Sequence, residues 1–164
     1  MEQGKKSRLM FFLATAGGAG LSPVAPGTCG SLAAVGLHLA VVFALPGPWR
    51  YAALAALFLL ACAACVASAD WAAERWGRPD PGQVVADEVA GYLLVPLLFP
   101  AGGLVYTVVG GFALFRVLDA SKPPPIRQME HWFPRGWGVL ADDLLAGAVT
   151  AGLLHLGVYA GLFA

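Results

Sequence analysis

The chain has 164 residues, 59% of them hydrophobic and 12% charged, a mean hydropathy of +0.71, and ten acidic residues balanced by ten basic ones. Soluble domains carry about 25% charged residues, and one of this size leaves too much surface wet to hide so much apolar area. Composition therefore excludes an ordinary soluble fold, a disordered chain and a nucleic-acid binder acting through bulk positive charge, and leaves an integral membrane protein.

At the N-terminus, Lys5, Lys6 and Arg8 precede the apolar run Leu9–Ala16, which imitates a secretion signal. The run is short for one, which argues against cleavage. The segment Gly20–Ser31 is crowded with Ser, Pro and Gly. Its backbone N–H groups, with the Thr28 and Ser31 hydroxyls, suit an anion at a helix start. As a plain loop leading into the membrane it needs no ligand. Leu32–Leu45, 14 uncharged residues, then reads as a short or tilted crossing, or as a re-entrant element.

Tyr51–Ala69 (19 residues) and Leu144–Ala164 (21 residues) are long enough to span the hydrocarbon, which takes about 20 residues. Cys62 and Cys65 fall inside the first of these. There a C-x-x-C reads as small residues packing against a neighbouring helix rather than as a redox motif. Cys29 is the third cysteine, too few for a disulfide scaffold.

Val89–Phe115 decides the topology. Its 27 uncharged residues would make a helix of about 40 Å, longer than the bilayer core. Pro96, Pro100, Gly102 and Gly103 predict a break in its middle and a hairpin of two short helices. With the N-terminus inside, splitting it puts nine of the ten Lys and Arg residues on the cytoplasmic side and only Arg50 outside, a strong positive-inside bias. Unsplit, the count is five against five. The expected architecture is an all-α, polytopic membrane bundle of about five crossings including the broken hairpin, a single domain over residues 1–164.

The split brings Asp80, Asp87, Glu88, Asp119, Asp142 and Asp143 to one face. Asp87-Glu88 and Asp142-Asp143 each directly precede an apolar run, which predicts two pairs of acids at helix N-terminal ends. One acid per helix satisfies capping. Four or five carboxylates facing one another repel unless a divalent cation holds them, and carboxylate oxygens are the ligands Mg²⁺ prefers. Arg116, Asp119 and Lys122 recur at i, i+3, i+6, on one face of a helix that Pro123-Pro124-Pro125 ends, with Arg127 on an extended segment beyond. Beside carboxylates this reads as a phosphate clamp, since a phosphomonoester needs a metal for its oxygens and Arg or Lys for the remaining charge. His38 and His155 lie in apolar runs and read as packing residues. His131 lies near the acids as a weaker candidate for a general acid.

The ordered set resembles the phosphatidylglycerophosphatase A family of bacterial membrane lipid phosphatases. The residues that carry the resemblance are Leu21–Ser31, Asp80–Gly91, Phe115–Arg127 and Gly138–Gly147. It implies Mg²⁺-dependent removal of the terminal phosphate from phosphatidylglycerophosphate, at the cytoplasmic face of the cytoplasmic (inner) membrane. Phosphatidylglycerol and inorganic phosphate would be the products. No Cys-x5-Arg loop, Asp-x-Asp-Thr/Val pattern or paired-histidine arrangement is present, which leaves a metal-activated water as the expected route. In it Asp87, Glu88, Asp119, Asp142 and Asp143 hold Mg²⁺, and Asp87 or Asp143 is the base. Thr28, Ser31, Arg116, Lys122 and Arg127 bind the phosphate, and a phospho-enzyme on Thr28 or an aspartate is the alternative route. A small cation-coupled transporter would show acids within the spans or inverted halves; the expected crossings carry no acid and no repeat is visible, which argues against one. A non-catalytic membrane subunit would tolerate loss of Asp87 or Asp143.

Overall fold

The computed structural model describes residues 2–100 and 103–161, with the side chains of Glu2, Glu130 and His131 excepted, so the candidate His131 lies outside the described side chains. The described residues are helical, with no strand among them. The helices are α1 (Glu2–Ala14), α2 (Pro26–Ala44), α3 (Pro48–Trp76), α4 (Ala86–Leu98), α5 (Gly111–Ser121), α6 (Ile126–Trp132) and α7 (Gly136–Tyr159). A 3-10 turn at Ala16–Leu21 joins α1 to the loop before α2.

α2, α3 and α7 are each long and apolar enough to cross a membrane. Proline at the first helical position starts α2 and α3, where its missing N–H costs nothing. Because α2 starts at Pro26, Thr28–Ser31 lie inside it. The first uncharged stretch therefore becomes a 19-residue helix, about 28 Å long, and reads as a crossing rather than a re-entrant element. Gly77 ends α3 with φ +68° and donates its N–H to the Ala73 carbonyl at 2.9 Å.

The break expected in Val89–Phe115 is present. α4 carries Pro96 and stops at Leu98, and helix resumes at residue 104, passing through a π-helical turn (Tyr106–Gly110) into α5. Tyr51 donates its hydroxyl to the Pro100 carbonyl, and His155 Nε2 lies 2.9 Å from the Leu98 carbonyl. The break thus sits at the end of the bundle where α3 begins and α7 finishes. Exposed Trp49, Tyr51 and Tyr159 ring that end, and exposed Trp132, Phe133 and Trp137 ring the other, as aromatic side chains do at the two membrane–water interfaces.

α4 is the central helix. It is buried along most of its length, with Tyr92, Leu93 and Val95 fully enclosed. It crosses α7 at a pair of glycines. A Cβ on Gly147 would overlap the Gly91 carbonyl oxygen, and one on Gly91 would come within 2.7 Å of the Phe115 ring and 2.8 Å of the Asp143 carbonyl. Small residues permit this backbone approach, which is how membrane helices gain packing energy without a hydrophobic drive between them. On the other side His38 of α2 meets the Tyr92 hydroxyl at 3.2 Å, a buried polar tie between α2 and α4. Cys65 is buried with Sγ 3.9 Å from the Gly136 carbonyl, and Cys62 packs beside the core. α1 lies along α3, with Phe11 against Trp71 and Trp76, and its Ala14 carbonyl accepts the Val85 N–H at 2.9 Å.

Candidate active site

The glycine crossing positions the acids. Asp87 precedes Gly91 by four residues and Asp143 precedes Gly147 by four, so each acid sits one turn from the contact on the same helical face. Their carboxylates are thereby brought together with that of Glu88. One oxygen from each of Asp87, Glu88 and Asp143 falls within 4.8 Å of the others. Asp87 and Asp143 are buried and Glu88 is half-buried. The Asp87 carboxylate accepts the N–H of Glu88 at 3.0 Å, and Asp142 accepts that of Asp143 at 3.1 Å. Among the described residues, Glu88 Oε2 and Asp143 Oδ2 are buried without a hydrogen-bond partner.

The two acid pairs do not sit alike. Asp87 and Glu88 occupy the first turn of α4, as expected. Asp142 and Asp143 do not begin a helix, because α7 starts six residues earlier at Gly136. The cause is packing: Gly136 fits against Ala69 and Val66 of α3, which lets the helix begin before its charges. These two acids therefore lie inside a helix long enough to span. The expectation that the crossings carry no acid fails there, and so does the use of that absence against a transporter.

Cations flank the cluster. Arg116 pairs with Asp119 on α5, and Lys122, the left-handed cap of that helix, reaches across to Asp142 on α7. Burial alone would lower the Lys122 pKa, but its hydrogen bond to Asp142 more than offsets that and holds the ammonium above its ordinary range. Asp119 stands close enough to Asp143 for the two carboxyls to interact. The five acids expected as one ligand set thus divide into a triad, Asp87, Glu88 and Asp143, and two aspartates already engaged by cations.

The first turn of α2 also arrives here. Gly27 is pressed so close that a Cβ would overlap Glu88 Oε1 and stand 3.2 Å from both terminal nitrogens of Arg116. Half-buried Thr28 is the next residue. Ser31 is not available in the same way: it is fully buried and donates its hydroxyl to the Gly27 carbonyl at 3.0 Å. That makes it a packing residue of α2. Arg127 is exposed on the first turn of α6, a helix where an extended segment was expected, and among the described residues it makes no ion pair. Reading residue types alone missed Gly27, Gly91 and Gly147. Glycine four residues after an acid, in both acidic motifs, was the available signal.

The donor set is all oxygen and carboxylate-rich, with two buried unpartnered oxygens and basic side chains on its rim. It fits a small hard cation and a phosphate together. The family profile described as "PgpA: Phosphatidylglycerophosphatase A" matches residues 12–158 of the chain. The chain belongs to the phosphatidylglycerophosphatase A family. The family's proteins of that name from Escherichia coli and Haemophilus influenzae are 36% and 38% identical to it. Those alignments cover 92% and 82% of this chain, and 84% and 79% of the two relatives. A Bacteroides thetaiotaomicron protein named "Putative phosphatidylinositol-3-phosphatase" is 40% identical over 154 residues, covering 89% of this chain and 91% of that relative. No solved structure matches significantly. Like the family's other members in name, this all-helical membrane protein is a phosphatidylglycerophosphatase by kind.

Proposed function

We propose that this chain hydrolyses the terminal phosphomonoester of phosphatidylglycerophosphate to phosphatidylglycerol and inorganic phosphate, with Mg²⁺ as its cofactor, at the cytoplasmic face of the inner membrane. The observation that carries the reading is the meeting of Asp87, Glu88 and Asp143 between Arg116 and Lys122. A five-crossing topology, with nine of ten basic residues on the side of the acids, supports the cytoplasmic orientation.

Asp87, Glu88 and Asp143 would hold the Mg²⁺, with Asp119 beside Asp143 and Asp142 behind. When bound, the ion supplies Lewis-acid polarisation of the phosphoryl oxygens. Arg116 keeps guanidinium N–H groups beyond those it gives Asp119, and these with the Lys122 ammonium bind the phosphoryl oxygens and offset the charge that grows on them in the transition state. Asp143 Oδ2, buried and unpartnered, takes a proton from the attacking water. The water oxygen bonds to phosphorus, the bond from phosphorus to the glycerol oxygen breaks, and that oxygen leaves with a proton from solvent. Thr28, beside Gly27, would border the phosphate, whereas the Ser31 hydroxyl is tied to the Gly27 carbonyl and Arg127 stands exposed on α6.

A second head group follows from the Bacteroides relative, whose name gives an inositol lipid. Both substrates carry a phosphomonoester on a diacyl lipid, which is what the cluster addresses. The test is phosphate release by purified protein in detergent from both lipids, with Mg²⁺ or with EDTA, for wild type and Asp143→Asn. Release from phosphatidylglycerophosphate that requires Mg²⁺ and collapses in the folded variant is expected. Release only from the inositol lipid would replace the substrate, and release that survives EDTA and the variant would overturn the site.

A further inference from the structure

Away from the acids, α1 and α3 build two adjoining spaces that the proposed reaction does not use. The first is a cavity of about 330 Å³ lined by Ser7, Arg8, Phe11, Trp71 and Arg75. It offers two guanidinium groups and a hydroxyl, with no carboxylate in its wall. The second is an almost wholly apolar groove of about 520 Å³. Phe12 and Gly17 stand at its head, Gly36 of α2 and Ala61 and Ala64 of α3 form its sides, and Ala86 and Val89 of α4 are its floor. Small side chains keep it open, and a Cβ on Gly36 would meet nothing within 4 Å.

The two spaces are in line. Leu57, Ala61 and Ala64 border the groove, and Trp71 and Arg75 border the cavity. Spacings of four, three, seven and four keep these residues on one face of α3. Arg75 lies in the last turn of α3, at the end of the bundle from which the chain runs on to the acids of α4. One leaflet with its headgroups is about 20 Å deep. From Arg75 that depth reaches Ala61, some 14 residues back at 1.5 Å each.

We propose that one anionic glycerophospholipid binds here as a resident ligand, its phosphodiester on Arg8 and Arg75 and an acyl chain in the groove. Charge complementarity selects the occupant. A groove made for another helix would need no arginines at its mouth, and basic pockets between membrane helices at the headgroup level take acidic lipids. The bound chain rests on Ala86 and Val89, the neighbours of Asp87-Glu88 in α4. This site is separate from the proposed catalytic centre, and its occupancy does not require turnover.

The test is native mass spectrometry of the full chain in detergent with phosphatidylserine or with phosphatidylcholine of the same acyl chains. Phosphatidylserine is chosen because it is anionic but carries no phosphomonoester. Wild type is expected to retain one phosphatidylserine in preference to phosphatidylcholine. The double variant Arg8→Gln/Arg75→Gln should lose that preference by roughly 25-fold, about fivefold per arginine. Gly36→Leu should expel the chain, and Asp143→Asn should retain the lipid as wild type does. Equal retention of the two lipids, or a double variant that binds like wild type, would overturn the proposal. Loss of the lipid in Asp143→Asn would do the same by moving the binding to the acids. None of these outcomes depends on phosphate release, so this proposal and the phosphatase reading can fail separately.

Discussion

Two buried carboxylate oxygens without partners, on Glu88 and Asp143, make the acid triad a place of stored repulsion. Removing one charge therefore has opposite effects on folding and on function. Without metal, Asp143→Asn is expected to melt no lower than wild type, because it relieves like charges at close range. With Mg²⁺, wild type should gain thermal stability as a ligand-bound native state does, about 2.7 kcal/mol at a hundredfold excess over Kd. The variant should gain little. Paired melting curves in EDTA and in Mg²⁺ check this, and a variant that melts far below wild type in EDTA would show that the carboxylate is held by contacts rather than waiting for an ion. Lys122 obeys the reverse rule. Its partner Asp142 has a side chain only 1% exposed, while that of Lys122 is 31% exposed. Lys122→Met strands a buried charge, at a cost of about 2–3 kcal/mol once partial solvent access is allowed for. Lys122→Met/Asp142→Asn should recover most of that stability in denaturant unfolding and none of the phosphatase activity.

At the scale of elements, the crossing of α4 over α7 converts two glycines into an acid cluster. Gly147→Ala puts a methyl into the Gly91 carbonyl, and overpacking of this kind costs about 1–3 kcal/mol. It should also widen the distance between Asp87 and Asp143, so the Mg²⁺-dependent gain in melting temperature shrinks along with stability. Gly152→Ala, on the same helix with nothing within 4 Å of its Cβ, is the control and should be neutral or slightly stabilising. Equal effects of the two substitutions would remove the crossing from the account. This element also shows what could be read in advance. The break in the hairpin was legible because Pro96, Pro100 and two glycines leave a helix no way through. The three acidic and basic motifs were legible because charges are rare in this chain and each one next to an apolar run needs a reason. The start of α7 was not legible: counting uncharged residues stops at Asp143, whereas the helix begins where Gly136 finds Ala69. With 21 glycines in the chain, only the shared spacing of four residues after an acid set Gly91 and Gly147 apart, and that spacing does not by itself say that the two touch. Ser31 was misplaced because a hydroxyl near a helix start looks free until the turn behind it is seen to accept it.

For the whole molecule, function depends on which side of the membrane the acids face, and the distribution of charge bears on it directly. Nine of ten basic residues lie in segments that the five-crossing topology puts with the acids, and Arg50 alone lies at the opposite end, where its Nε donates to the Leu45 carbonyl at 2.6 Å. Positive side chains resist translocation, so the end they crowd is expected on the cytoplasmic side. The prediction can be made at two exposed positions, Gly82 in the loop leading to α4 and Trp49 at the start of α3. With Cys29, Cys62 and Cys65 replaced by alanine, a cysteine at position 49 is expected to react with a membrane-impermeant maleimide in spheroplasts. One at position 82 should react only after the membrane is opened. The reverse pattern would invert the protein and put the acids outside. Labelling of both from outside would mean an odd number of crossings fewer between them: positions 49 and 82 are separated by α3 alone, so that result would deny that α3 crosses. A lipid made on the inner leaflet reaches the acids only in the first case, which is why the orientation, and not the cluster alone, decides whether the chemistry at Asp87, Glu88 and Asp143 meets its substrate.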